Sequence, residues 1–345
     1  VPLSPGLLSQ ALRVGPHAGS HRVALRASIS VLVPLLLLWA VGRQEWSIYA
    51  AFGAFTSLYG RSHVHLSRLT MQVTLAVLLT AAVVLGVAVG LSEHREWLAV
   101  PVAALVASGA SLVSDAQDWH PPGPLFLVFA FAACASVPSE PSDLLTAALV
   151  AGGASAFAVA VGGIGSLWRT TRRPESAERT AFLRPSYAAV ALRHVLLNGA
   201  GCLVAGSLAT AAGIGHPYWA MVSAVVPLAS RDPRTQAVRG LHRVVGTLAG
   251  LLLAAALLGL DLSGLALIAV VVVLQAAAEL WVGRNYAIAL VAVTPLALLM
   301  VHLVAPVPAG TLLLDRGVET VIGVAVGLAL GWLARAADRR PILGK

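Results

Sequence analysis

The chain has 345 residues, 58% of them hydrophobic and 11% charged, with a mean hydropathy of +0.85 and a formal net charge of +8. A soluble domain carries about 25% charged residues, so this composition excludes a soluble enzyme or nucleic-acid-binding module and places nearly the whole chain in a bilayer. The positive balance then reads as membrane orientation beside anionic lipid headgroups.

Along the chain, residues 1–22 lack the ordered charged, apolar and small-residue regions of a signal peptide, and Leu7 to Val14 predict a short amphipathic helix at the membrane surface. Uncharged runs follow at residues 27–42, 46–60, 69–92, 97–114, 121–139 and 144–168. A polar stretch, residues 169–186, separates them from six more at 195–213, 218–230, 244–260, 262–278, 285–304 and 317–334, the last interrupted by Glu319. Most reach the ~17–25 residues that a helix needs to cross the hydrocarbon. The expected fold is an all-α integral membrane protein with about twelve transmembrane helices. It divides into a six-helix repeat over residues 1–168, a cytoplasmic linker over 169–186, and a second six-helix repeat in the same orientation over 187–345.

Charge placement tests that count. With the N-terminus cytoplasmic, 20 of the 23 Lys and Arg residues fall inside, leaving only Arg43, Arg95 and Arg316 outside. The 15 acids divide into 7 inside and 8 outside, as expected of residues that contribute little to orientation. An even number of spans returns the C-terminus to the cytoplasm.

Several chemistries are missing. The one lysine is Lys345, which removes a phosphate-binding loop and a Schiff-base lysine. No serine-hydrolase, zinc-peptidase or Cys-x-x-Cys motif occurs, so the chain reads as a non-enzyme with no cofactor. His63 and His65 point to different faces of a helix and lack further ligands, so no metal is expected. Cys134 and Cys202 fall in predicted spans of different halves and read as packing residues.

The two halves resemble each other. Twelve positions separate Tyr49 from Arg61, and twelve separate Trp219 from Arg231; Leu25-Arg26 answers to Leu192-Arg193. A matched pair of short apolar segments points to a transporter's binding site where the halves meet. Tyr49 and Trp219 are therefore candidates to hold a flat substrate, with an interfacial aromatic belt as the alternative. Arg61, Arg68, Arg231, Arg239 and Arg243, in the predicted cytoplasmic loops, are candidates to collect an anion, with the positive-inside rule as the competing explanation. Asp115, Asp118, Glu279 and Glu319 are candidates to couple protons, because a desolvated acid can be held protonated. For Glu319 the competing reading is an ion pair with Arg316, one turn away. Glycines spaced four apart (Gly86 and Gly90; Gly246 and Gly250; Gly323, Gly327 and Gly331) predict close helix packing.

Tyr218-Trp219-Ala220, then Arg239 through Gly250 (RGLHRVVGTLAG), then Tyr286-Ala287-Ile288-Ala289 running into Thr294-Pro295-Leu296-Ala297-Leu298, resemble the fusaric acid resistance family of the aromatic acid exporter superfamily. Pro122-Gly123-Pro124-Leu125-Phe126 gives a looser version in the first half. The resemblance implies a protein of the bacterial inner membrane that exports aromatic or other organic carboxylates, driven by the proton gradient. The candidate substrate-binding residues, read from this sequence and not carried over from the family, are Tyr49, Arg61, Arg68, Trp219, Arg231, Arg239, Arg243 and Tyr286. Expected partners are the organic anion and anionic lipids, with no nucleic acid; a homo-oligomer or an envelope partner is left open. So are two other functions: an organic-anion channel, and a membrane-embedded interaction subunit that transports nothing.

Overall fold

A computed structural model describes residues 6–17, 19–60, 65–170, 191–304 and 307–338. These residues are helical throughout, with no strand among them. A short surface helix, α1 (Leu7–Ala11), precedes α2 (Ser20–Ala40), α3 (Ser47–Ala54), α4 (His65–Gly90), α5 (Arg95–Gln117), α6 (Leu125–Ala135) and α7 (Pro141–Thr170). Beyond residue 190 come α8 (Leu192–Ala211), α9 (Tyr218–Leu228), α10 (Pro233–Leu258), α11 (Gly264–Trp281), α12 (Tyr286–Val304) and α13 (Ala309–Asp338).

Nine of these helices are long and apolar enough to cross a membrane: α2, α4, α5, α7, α8, α10, α11, α12 and α13. The other three apolar segments are shorter. Helix α3 passes into a tight 3₁₀ turn at Phe55–Leu58, while α6 and α9 are 11 residues each. Their shortness has local causes. Pro121, Pro122 and Pro124 delay the start of α6, and Pro217 immediately precedes α9. All three are deeply buried, so the bundle encloses them with the long helices outside.

The packing order positions the site. Helix α3 packs on α7 and α9 on α13; α4 packs on α6 and α7, and α10 on α12 and α13. The first helix of each series crosses to the other, α2 lying against α11 and α8 against α5. Close approach needs glycine at Gly246, where a Cβ would strike the Ala287 backbone, and at Gly323, where it would strike that of Ala220. Cys134 and Cys202 are both free and buried in the packing.

Helices α2, α4, α10 and α13 begin well before their uncharged runs, and this corrects the loop placement of Arg68, which lies in α4, and of Arg239 and Arg243. Asp232 caps α10, its carboxylate accepting from the Thr235 backbone N–H at 2.7 Å, with Pro233 in the first helical position. Helix α10 therefore takes in Arg234, Arg239 and Arg243. Likewise α13 starts at Ala309, so Asp315, Arg316 and Glu319 all sit inside a helix. Charges end a hydropathy run without ending a helix when the bundle interior receives them.

At the end of the bundle where α10 begins, residues 11–15 are strapped across α10 and the α11–α12 turn. The Ala11 carbonyl contacts His242 Nε2 at 2.8 Å and accepts from Asn285 Nδ2 at 3.1 Å. Gly15 N–H donates to the Arg284 carbonyl at 2.8 Å. Leu7, Leu8 and Leu12 remain exposed on the outside of this strap.

Candidate functional site

A cavity of about 380 Å³ opens between the two series of helices. One wall is aromatic and comes from the first half: Phe55 and Tyr59 beside the 3₁₀ turn, then Phe126 and Phe129 on α6. Phe126 meets Phe55 edge-on at 5.2 Å and Tyr59 at 5.9 Å. The opposite wall is polar and comes from the second half: Arg239 and Arg243 on α10, Gln275 and Glu279 on α11, Tyr286 on α12 and Arg316 on α13. His120 to Gly123 and Val282 to Gly283 lie at one end. The cavity is thus polarised, rings on one side and cations on the other.

The two deepest cations carry the chemistry. Arg243 is 3% exposed and Arg316 2%. Arg243 donates from Nε to Ser223 Oγ at 3.2 Å and from Nη1 to the Tyr286 hydroxyl at 3.2 Å, which leaves Nη2 without a partner. Arg316 lies over the Trp219 ring, its Cζ 4.6 Å from the centroid, and its Nε is likewise unpartnered. Among the described residues the ion pairs involve Arg43, His194, His216 and Arg231, and neither buried arginine is in one. A guanidinium taken out of water without a carboxylate costs several kcal/mol. Two beside one cavity make it a receptor for an anion, and the planar fork suits a carboxylate.

Of the residues proposed from sequence, Arg239, Arg243, Glu279 and Tyr286 line this cavity. Trp219 lies behind Arg316, fully buried, and offers its ring to that cation rather than to the cavity. Tyr49 is buried in the α3 core, away from the lining. Arg68 is half-buried and donates from Nε to the Gly60 carbonyl at 2.8 Å, a backbone-holding role. Arg231 is exposed and pairs with Asp115 at 3.0 Å. Asp115 also meets His194 Nδ1 at 3.0 Å, while His194 Nε2 contacts the Leu228 carbonyl at 2.9 Å, so this cluster ties α5 to α8 and to the end of α9. Asp118 closes α5 in a left-handed conformation, φ 50°. Glu319 is wholly buried in the bundle outside the lining. Arg61 lies outside the described residues. No group of three or more potential metal ligands occurs among the described residues.

Sequence reasoning missed Arg316, Gln275, Ser223 and the aromatic wall. A signal for Arg316 was present, since it is one of three arginines that break the positive-inside pattern. An arginine that topology does not place needs another reason to be there. Phe126 and Phe129, three apart on one helix face, were a fainter one.

This geometry can be set beside known proteins. Residues 203–330 match the family model described as fusaric acid resistance protein-like. That region runs from within α8 to within α13 and contains every charged residue of the cavity wall. No match was found among curated proteins or solved structures. The apolar helices mark a membrane protein, and its second half resembles the fusaric acid resistance protein-like family.

Proposed function

We propose that this protein is a secondary transporter that exports aromatic or other organic carboxylates across a bacterial cytoplasmic membrane, coupled to protons. The carrying observation is the pair of buried arginines with unpartnered N–H groups in a cavity whose facing wall is aromatic. An aromatic carboxylate fits that polarity, its ring against Phe126 and Tyr59 and its charge between Arg243 and Arg316. An aliphatic acid would use the cationic wall alone. The volume admits a small ligand, near the lower end of the ~300–1,000 Å³ common for such sites.

In this reading the chain crosses the membrane twelve times, as two six-helix halves joined by residues 169–186, both termini cytoplasmic. The recurrence of α3–α7 contacts in α9–α13, and of α4–α6 contacts in α10–α12, supports two like halves. The positive-inside balance supports the orientation, which turns the cavity end at His120 and Gly283 toward the cytoplasm. The halves have then diverged in task, one giving rings and the other charges. The protein acts on its anion by binding and release, without chemistry, and anionic lipids cover the basic cytoplasmic rim.

The test is uptake of radiolabelled phthalate, an aromatic dicarboxylate that does not cross lipid unaided, into inside-out vesicles with and without an imposed pH gradient. Saturable accumulation that needs the gradient supports the reading. Fast, non-saturating equilibration makes the protein a channel. No flux with phthalate or a panel of other organic anions overturns transport and directs attention to a membrane partner.

A further inference from the structure

Glu319 has no place in the cavity wall, yet it is the most completely enclosed acid among the described residues, at 0% exposure. It lies on α13, one turn beyond Asp315 and Arg316. Neither carboxyl oxygen has a hydrogen-bond partner. The backbone N–H groups of His216 and Trp219, at the start of α9, face it. The side chain is thus a buried acid beside a buried unpaired cation, and that cation borders the cavity.

The surrounding charges can be enumerated. Asp315 and Arg316 come from α13 itself, His216 from the turn before α9, and Tyr218 from α9. Arg243 of α10 and Tyr286 of α12 stand beyond Arg316. Helix α8, also packed on α13, carries Arg193 and His194 at its far end. Of these groups, His216 and Asp315 retain some access to solvent, with side chains 12% and 11% exposed and a contact of 3.0 Å between them. They lie at the opposite end of the bundle from His120 and Gly283, since α9 and α13 both start there.

We propose that Glu319 takes up a proton when an organic anion binds Arg316 and Arg243, so that anion binding and protonation are one linked event. With the cavity empty, Arg316 balances whatever charge Glu319 carries. An arriving carboxylate puts a second anion beside the same cation in a poorly screened interior, which is costly. A proton from solvent, passing Asp315 or His216, neutralises Glu319 and leaves Arg316 to the ligand; it departs when the anion does. Anion and proton therefore occupy the protein together, having reached Arg316 and Glu319 from opposite ends of the bundle. This inference rests on the carboxylate reading above.

The experiment is calorimetric titration of phthalate into the full chain in lipid nanodiscs, in two buffers of different ionisation enthalpy, which counts protons taken up per anion bound. Between about pH 7 and pH 8.5, where phthalate is fully ionised, wild type is expected to take up as much as one proton, with Kd rising by up to about tenfold per pH unit. Glu319→Gln should bind with no linked proton and a Kd indifferent to pH, and Glu319→Asp should restore the linkage. Unchanged proton uptake in Glu319→Gln overturns the proposal. So does a wild-type count of zero, which decides the matter even where the variant does not fold. Wild type that binds no phthalate at all overturns the carboxylate reading instead.

Discussion

Arg243→Gln tests the anion site most directly. The substitution keeps a side chain able to reach Ser223 or Tyr286 but removes the charge and the unpartnered Nη2. A unit charge about 4 Å from a carboxylate is worth ~4 kcal/mol at an effective dielectric near 20, and part of this is screened where the cavity opens. The lost charge-assisted hydrogen bond sets a firmer scale of about 1.5–3 kcal/mol, or roughly 10- to 150-fold in affinity. Phthalate binding to protein in nanodiscs, with a thermal melt as a folding control, measures it. Arg243→Lys should fall between, because it keeps the charge without the planar fork. A folded Arg243→Gln protein that binds phthalate as tightly as wild type refutes the assignment, whatever the flux assays report.

The aromatic wall has its own signature. Phe126→Leu should weaken phthalate binding by ~0.5–1.5 kcal/mol, about 2- to 12-fold, and leave succinate, which has no ring, unaffected; equal losses for both ligands would mean the wall is only structural. His194→Ala removes a ring whose two nitrogens both face acceptors, Asp115 and the Leu228 carbonyl, and should lower stability to unfolding in detergent by about 1–3 kcal/mol; an unchanged unfolding curve would show the tie between α5 and α9 to be idle. At Asp232 the Thr235 hydroxyl and backbone N–H hold the carboxyl below the usual carboxylate range. A depressed folded-state value stabilises the protein above the unfolded-state value of about 3.9 and loses that contribution as pH falls through the folded one. Asp232→Asn should keep the cap but lose this acid dependence, and an acid-unfolding profile identical to wild type would show that the Asp232 charge contributes nothing to acid stability.

The membrane character and the order of segments are written in the chain itself. Backbone N–H and C=O groups in lipid must be satisfied within a segment, so a long uncharged run has little choice but helix, and composition alone exposes it. The matched spacing of Tyr49 and Trp219, and of the apolar stretches they open, was equally legible because it lies in local sequence. The limits of α10 and α13 were less so, since hydropathy stops at a charge while a helix stops where its hydrogen bonds and caps do. Asp232-Pro233 marked the first of these starts in chemistry rather than in hydropathy.

What the tertiary structure alone decided is which charges face one another. Arg231, Arg239 and Arg243 are near neighbours in sequence and alike in type, yet one lies exposed against Asp115, one lines the cavity, and one is buried without an acid. The place of Arg231 ahead of the Asp232 cap, the helical phase of Arg239 and Arg243 on α10, and the packing of α12 and α13 against it make the difference. Arg316 and Ser223 reach Arg243 from other helices, and the phenylalanine wall comes from the other half of the chain. No local pattern encodes such distances. They arise because small residues such as Gly246 and Gly323 let particular helices approach, and the polar groups left in the gap between the halves become the site.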